Sequence, residues 1–414
     1  MDRLPLTARG SGAVLLAVAS FVAAQAFGIP ALLLFSTFLV CVVAAALASL
    51  HLGGSGERVV RSFSPETATV GDEVIVQARV EARSVVPTPP GRWQDRLPEG
   101  VEGPASGPFP SLPSALRRGP EAVDIRYRVM PRRRGIRPFG PLVVRTTDPF
   151  GFARRVRQVD GPVPLTVAPA LIDLPSLAEL RGGAGGTLLS TSEHRGQGAD
   201  NLEPRAYLPG DSMRRIHWRA SAHRGELMVR QEEQESTPEA TVVFDRTVDR
   251  WSDAALLHPG DDPAFELAVS ACASAVERLV RAGYTVTVID VDGAALGPII
   301  QAGDTAAVEA LTISFAPITA RRDGAFTDLV RVCAGESLGP LVLVTGNLEP
   351  ADAVILGPVA HHSSVPVLLS VEGGTEPLET ARRRGWRVAR LEPEDDLTDL
   401  WQAVQATTEA SDAA

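Results

Sequence analysis

The chain has 414 residues, a formal net charge of −10 and 44% hydrophobic residues. A soft prior of roughly 150 residues per domain gives two or three units, and the acidic balance argues against a general nucleic-acid binder, whose phosphate contacts need a basic surface. All 40 basic residues are arginine, so a P-loop ATPase, a Schiff-base enzyme and a Ser-Lys hydrolase are excluded.

Between Arg9 and Glu57 there is no formally charged residue. Two apolar runs fill that window, Ser11–Gly28 and Pro30–Leu50, separated at Gly28-Ile29-Pro30. About 20 apolar residues suffice to cross roughly 30 Å of hydrocarbon. Residues 1–56 are therefore expected to form a transmembrane helical hairpin, with helices at about 11–28 and 30–50. Arg3 and Arg9 before it and Arg58 and Arg61 after it predict both ends, and the rest of the chain, on the cytoplasmic side of the cell membrane. The competing reading is a signal peptide cut after Ala-Gln-Ala. Cys41, Cys272 and Cys333 lie far apart and form neither a zinc pattern nor a disulfide framework, which suits a reducing compartment.

Residues 57–175 predict a small antiparallel β-sandwich. Val74, Val76, Ala78 and Val80 alternate along one strand, and Val123, Ile125, Tyr127 and Val129 along another. Arg132-Arg133-Arg134 falls between strands and reads as a solvated loop, with an anionic-lipid contact as the alternative.

Residues 176–240 form a connector that contains the densest chemistry of the chain. Pro209-Gly210-Asp211 predicts a tight turn. Met213, Ile216 and Ala220 then predict a short helix, and the Glu226–Glu233 stretch a strand that pairs near Thr241–Phe244. From Arg195 to Arg230 the arginines outnumber Asp200, Glu203, Asp211 and Glu226. The first reading is an ion-pair network joining two domains, with Tyr207 and Trp218 packed beneath it. Arg, Tyr and Trp equally suit a docking surface. His194, His217 and His223, with the same acids, allow a metal-dependent hydrolase. However, His217 and His223 would lie about 240° apart on a helix.

Residues 241–408 alternate strand and helix patterns, which predicts a doubly wound α/β sheet with Asp245 at a strand's carboxyl end, where ligands gather. Residues 409–414 close a tail that reads as disordered.

Arg205, Tyr207, Pro209-Gly210-Asp211, Arg214 or Arg215, Ile216, Trp218, Ser221-Ala222, Arg224 and Val229-Arg230 together resemble the signature of the bacterial domain-of-unknown-function 58 family. The upstream Asp148-Pro149-Phe150-Gly151 and the paired apolar helices are similar to the same family. The resemblance implies a von Willebrand factor A-like C-terminal region. Its implied partners are a MoxR-type AAA+ ATPase and a transglutaminase-like membrane protein; the helical hairpin adds membrane lipid, and the acidic charge balance argues against nucleic acid. It brings no settled activity or cofactor. The family's Asp between Ile and Trp is His217 here. The Asp-x-Ser-x-Ser ion motif of A-like folds is Asp245-Arg246-Thr247-Val248-Asp249, so Asp245, Thr247 and Asp249 are candidate magnesium ligands. The alternative is a metal-free fold whose Asp245 caps a helix or pairs with an arginine. The resulting expectation is a membrane-anchored, non-enzymatic scaffold with a cytoplasmic protein-binding region.

Overall fold

The computed structural model describes residues 5–52, 57–82, 89–111, 121–172, 202–207, 216, 218–232, 238–334 and 338–392. Residues 393–408 of the expected α/β region and the 409–414 tail lie outside them. The chain forms two compact units. One comprises Met1–Ile172, Arg246–Ala273 and Glu309–Asp323; the other comprises Asp173–Asp245, Ser274–Val308 and Gly324–Ala414.

The first unit opens with α1 (Ala8–Phe27) and α2 (Pro30–Leu52), both long and apolar enough to cross a membrane. The Thr7 side chain caps α1 by accepting from the Gly10 amide. Gly28 ends the helix at φ 65°, a left-handed conformation that costs glycine nothing, and its N–H returns to the Ala24 carbonyl. The Ser36 hydroxyl donates to the Ala17 carbonyl at 2.8 Å, which satisfies a polar group between apolar helices.

Among the described residues, the β-rich region that follows has three sheets. Their orders are β1 (Glu57–Ser64), β3 (Val74–Ala82), β7 (Glu121–Pro131), β5 (Val101–Glu102); then β10 (Arg154–Gln158), β9 (Leu142–Thr147), β4 (Gly91–Asp95), β6 (Ser106–Phe109); and β2 (Thr67–Thr69), β11 (Val163–Ala168), β8 (Gly135–Phe139). The all-antiparallel expectation needs a correction, because β2 and β11 pair in parallel. The period-two reading holds at side-chain level. Val74, Val76, Ala78 and Val80 face one core with Ile125, Tyr127 and Val129, joined by Trp93, Phe139, Leu142 and Leu165. Each fully buried aliphatic or aromatic side chain of this kind stabilises by roughly 1.5–3 kcal/mol.

Inside that region sits a buried ionic group. Arg61 reaches both oxygens of Asp95, at 3.0 and 2.9 Å, and the Phe139 carbonyl at 2.6 Å. Tyr127 donates to Asp95 at 2.5 Å. Burial, reinforced by that carboxylate, pushes the Tyr127 phenol far above its ordinary range.

The Arg132–Arg134 turn corrects the sequence reading. Arg132 and Arg133 are partly exposed, but the Arg134 side chain has no exposed surface. Its guanidinium meets both Glu266 oxygens, at 2.8 and 2.7 Å, and the Phe315 and Ile318 carbonyls, at 2.5 and 2.9 Å. It also lies over the Phe265 ring. All these residues belong to the first unit, where Gly260 donates its amide to the same Glu266. A fork with five donors uses all three nitrogens here, which is how a fixed charge is tolerated in an interior.

In the second unit β12 (Leu202–Ala206) pairs antiparallel with β13 (Met228–Glu232), enclosing α3 (Trp218–Arg224). A five-stranded, all-parallel sheet follows, ordered β15 (Thr285–Ile289), β14 (Glu239–Phe244), β16 (Leu338–Thr345), β17 (Ser363–Val371), β18 (Arg387–Leu391). The strand at 228–232 thus pairs with β12 and not near β14, as the sequence had suggested. The helical pattern between β16 and β17 is not continuous. It breaks into Pro350–Ile355 and Gly357–His362, because Pro358 cannot donate into the preceding turn.

Candidate functional site

Two places collect the predicted site residues. The first is the carboxyl edge of the parallel sheet. The chain passes from β14 to β15 on one side and later enters β16 on the other side of β14. Such a reversal opens a crevice in parallel sheets. Asp245, 1% exposed, stands there, with its amide on the Val344 carbonyl at 2.9 Å. Thr345 ends β16 and donates its hydroxyl to the Asp245 carboxylate at 2.8 Å. Ser370 pairs with Thr345 in register and donates to the Gly346 carbonyl at 2.7 Å. A buried polar row therefore crosses three strands: Asp245, Thr345, Ser370. Thr345 was not among the residues the sequence singled out. The exchange of carboxylate for hydroxyl is the signal that could have found the pair.

Of the other proposed magnesium ligands, Thr247 is buried and bridges to Arg321 in the first unit. Asp249 is exposed in a short 3-10 turn, Val248–Arg250. Among the described residues no group of three or more His, Cys, Asp or Glu side chains is placed to hold a metal ion.

The second place is the signature stretch. Pro209, Gly210, Asp211, Arg215, His194 and His217 lie outside the described residues. Arg205 and Arg230 occupy the paired strands β12 and β13, with Pro204 opposite Arg230. Ile216 is buried and bridges to Val229, and the Tyr207 amide donates to the Leu227 carbonyl at 2.8 Å. The Ser221 hydroxyl accepts from the Met228 amide at 2.8 Å, so α3 is stitched to its hairpin. Ala222, His223 and Arg224 are exposed. Trp218 was expected beneath an arginine network, but it is 69% exposed. The reason is local: Ile216, not Trp218, turns inward onto Val229.

These features describe a protein with two long apolar N-terminal helices, a mixed-sheet β region and a parallel-sheet unit carrying an exposed tryptophan on a stitched helix. Residues 203–313 match the model of the family described as Protein of unknown function DUF58, which places this segment in the DUF58 family. The match runs from β12 through α3 and β14 past β15, so both places above fall partly within it. A comparison with curated proteins finds no match.

Proposed function

We propose that this protein is a membrane-anchored, non-enzymatic adaptor whose DUF58 segment docks a partner protein, with a MoxR-type AAA+ ATPase as the expected partner. The carrying observation is Trp218: a large aromatic ring displayed on a helix that Ser221 and Ile216 hold in place and that also carries exposed Arg224. Rigid aromatic and arginine side chains are the usual anchors of protein interfaces. In the same reading α1 and α2 span the membrane with both termini cytoplasmic, and the parallel sheet is a von Willebrand factor A-like fold. A transglutaminase-like membrane protein is a further candidate partner.

The test is affinity capture of the full chain from native membranes, with and without ATP. The expected result is an AAA+ ATPase bound by the parent and reduced at least tenfold by Trp218→Ala. Recovery of no AAA+ protein under either condition overturns the partner assignment. Protease added to intact spheroplasts should leave both units whole; their digestion would reverse the orientation. The hydrolase reading through His194, His217 and His223 would replace the adaptor if the purified protein held near-stoichiometric zinc or manganese that was lost in His217→Ala.

A further inference from the structure

The loop Asp148–Ala153 exposes an aromatic ring at the foot of the helical hairpin. Phe150 is 59% exposed, and its ring stacks on Phe152 with centroids 6.3 Å apart. The loop is held from within. The buried Asp148 carboxylate accepts from the Phe150 amide at 2.9 Å and the Ala153 amide at 2.5 Å.

The loop is also fastened to both helices. The Thr7 amide donates to the Phe152 carbonyl at 2.9 Å and the Thr7 hydroxyl to the Gly151 carbonyl at 2.5 Å. The Arg155 guanidinium donates to the Leu50 carbonyl at 2.5 Å, and Ala153 packs with Ala46 and Leu50. Gly10 makes the approach possible, since a Cβ there would fall 2.0 Å from the Phe152 oxygen. All of these residues lie in the first unit.

A 20-residue α1 rises about 30 Å, the thickness of the hydrocarbon layer. Thr7 and Leu50 then stand at the membrane boundary, and whatever is hydrogen-bonded to them stands there too. An exposed ring at that depth loses its contact with water on entering the headgroup region.

We infer that Asp148–Ala153 is a lipid-contacting foot: Phe150, backed by Phe152, seats in the headgroup–acyl boundary of the bilayer and fixes how the β region stands on the membrane. The inference rests on the membrane reading of α1 and α2, and its test separates the two. Full-length protein is reconstituted in phosphatidylcholine–phosphatidylglycerol vesicles, and single thiols carry an environment-sensitive fluorophore. Cys41 lies near the middle of α2 and reports helix insertion; Cys272 and Cys333 are buried. Phe150→Cys in a Cys41→Ser background reports the foot. Asp124→Cys in the same background, on an exposed side chain of β7, reports water.

Lipids with nitroxide at a shallow position should quench the Phe150→Cys label at least twofold more than lipids with deep nitroxide, and should leave the Asp124→Cys label unquenched. Cys41 should show the opposite depth preference. Quenching at Cys41 without quenching at Phe150→Cys overturns the foot and leaves the anchor standing, as does equal quenching of Phe150→Cys and Asp124→Cys. No quenching at either Cys41 or Phe150→Cys overturns the anchor itself.

Discussion

The turn at Arg132–Arg134 and the helix Trp218–Arg224 both set basic residues beside aromatic ones, and they use them in opposite ways. At the turn, Arg134 is buried over the Phe265 ring, with Glu266 and two carbonyls consuming its donors. On the helix, Trp218 and Arg224 face outward. The difference lies in what each guanidinium can reach. A buried arginine needs a carboxylate and spare carbonyls converging within 3 Å, because desolvation costs several kcal/mol per ion unless the geometry offsets it. Where that convergence exists, arginine is a bolt. Where a neighbouring apolar residue such as Ile216 takes the inward position, the charged and aromatic side chains are left for contact with something else.

Substitutions can break or sharpen this contrast. Arg134→Met should lower stability to urea by about 3 kcal/mol, since it leaves Glu266 and two carbonyls without their donor. Arg132→Met, which loses only an exposed pair with Glu102, should change it by no more than about 0.5 kcal/mol. Equal effects would erase the distinction between bolt and surface.

Thr345→Val tests another buried polar contact. It should cost about 1–3 kcal/mol, because Asp245 loses a hydroxyl donor in a buried site. Tyr127→Phe should cost about 1 kcal/mol at neutral pH. It should also change the alkaline arm of the stability curve. The folded phenol holds its proton above the ordinary value of 10.0, so the unfolded chain ionises first and the parent loses stability as pH rises through 10. The variant's curve should be flatter there, and a parallel decline in both proteins would contradict the buried Tyr127–Asp95 bond. Trp218→Ala should be the smallest, within about 0.5 kcal/mol by calorimetry, even where it abolishes partner capture.

Much of the architecture was legible from spacing. The charge-free window located α1 and α2, and period-two alternation placed Val74–Val80 and Val123–Val129 on a core. Asp245 was placed correctly at a strand end, because a buried parallel strand followed by an acid has few other readings. What escaped was whatever depends on partners distant in sequence. Nothing near Arg134 announces Glu266, which lies 132 residues away, or the carbonyls of Phe315 and Ile318. The same holds for the Thr345 hydroxyl on Asp245, 100 positions away in the chain. The inward choice between Ile216 and Trp218 turns on one register position opposite Val229, which periodicity over so short a helix does not decide.

Because the Arg134 pocket is assembled from stretches on either side of residue 245, the protein resists dissection. A version shortened to end at Asp245 would keep every strand of the β region, yet it would discard Glu266, Phe315 and Ile318 and leave a naked cation in a hollow shaped to hide it. Recombination between such proteins should therefore favour exchanging everything after the two apolar helices at once, and swapping only its front half should yield insoluble chains.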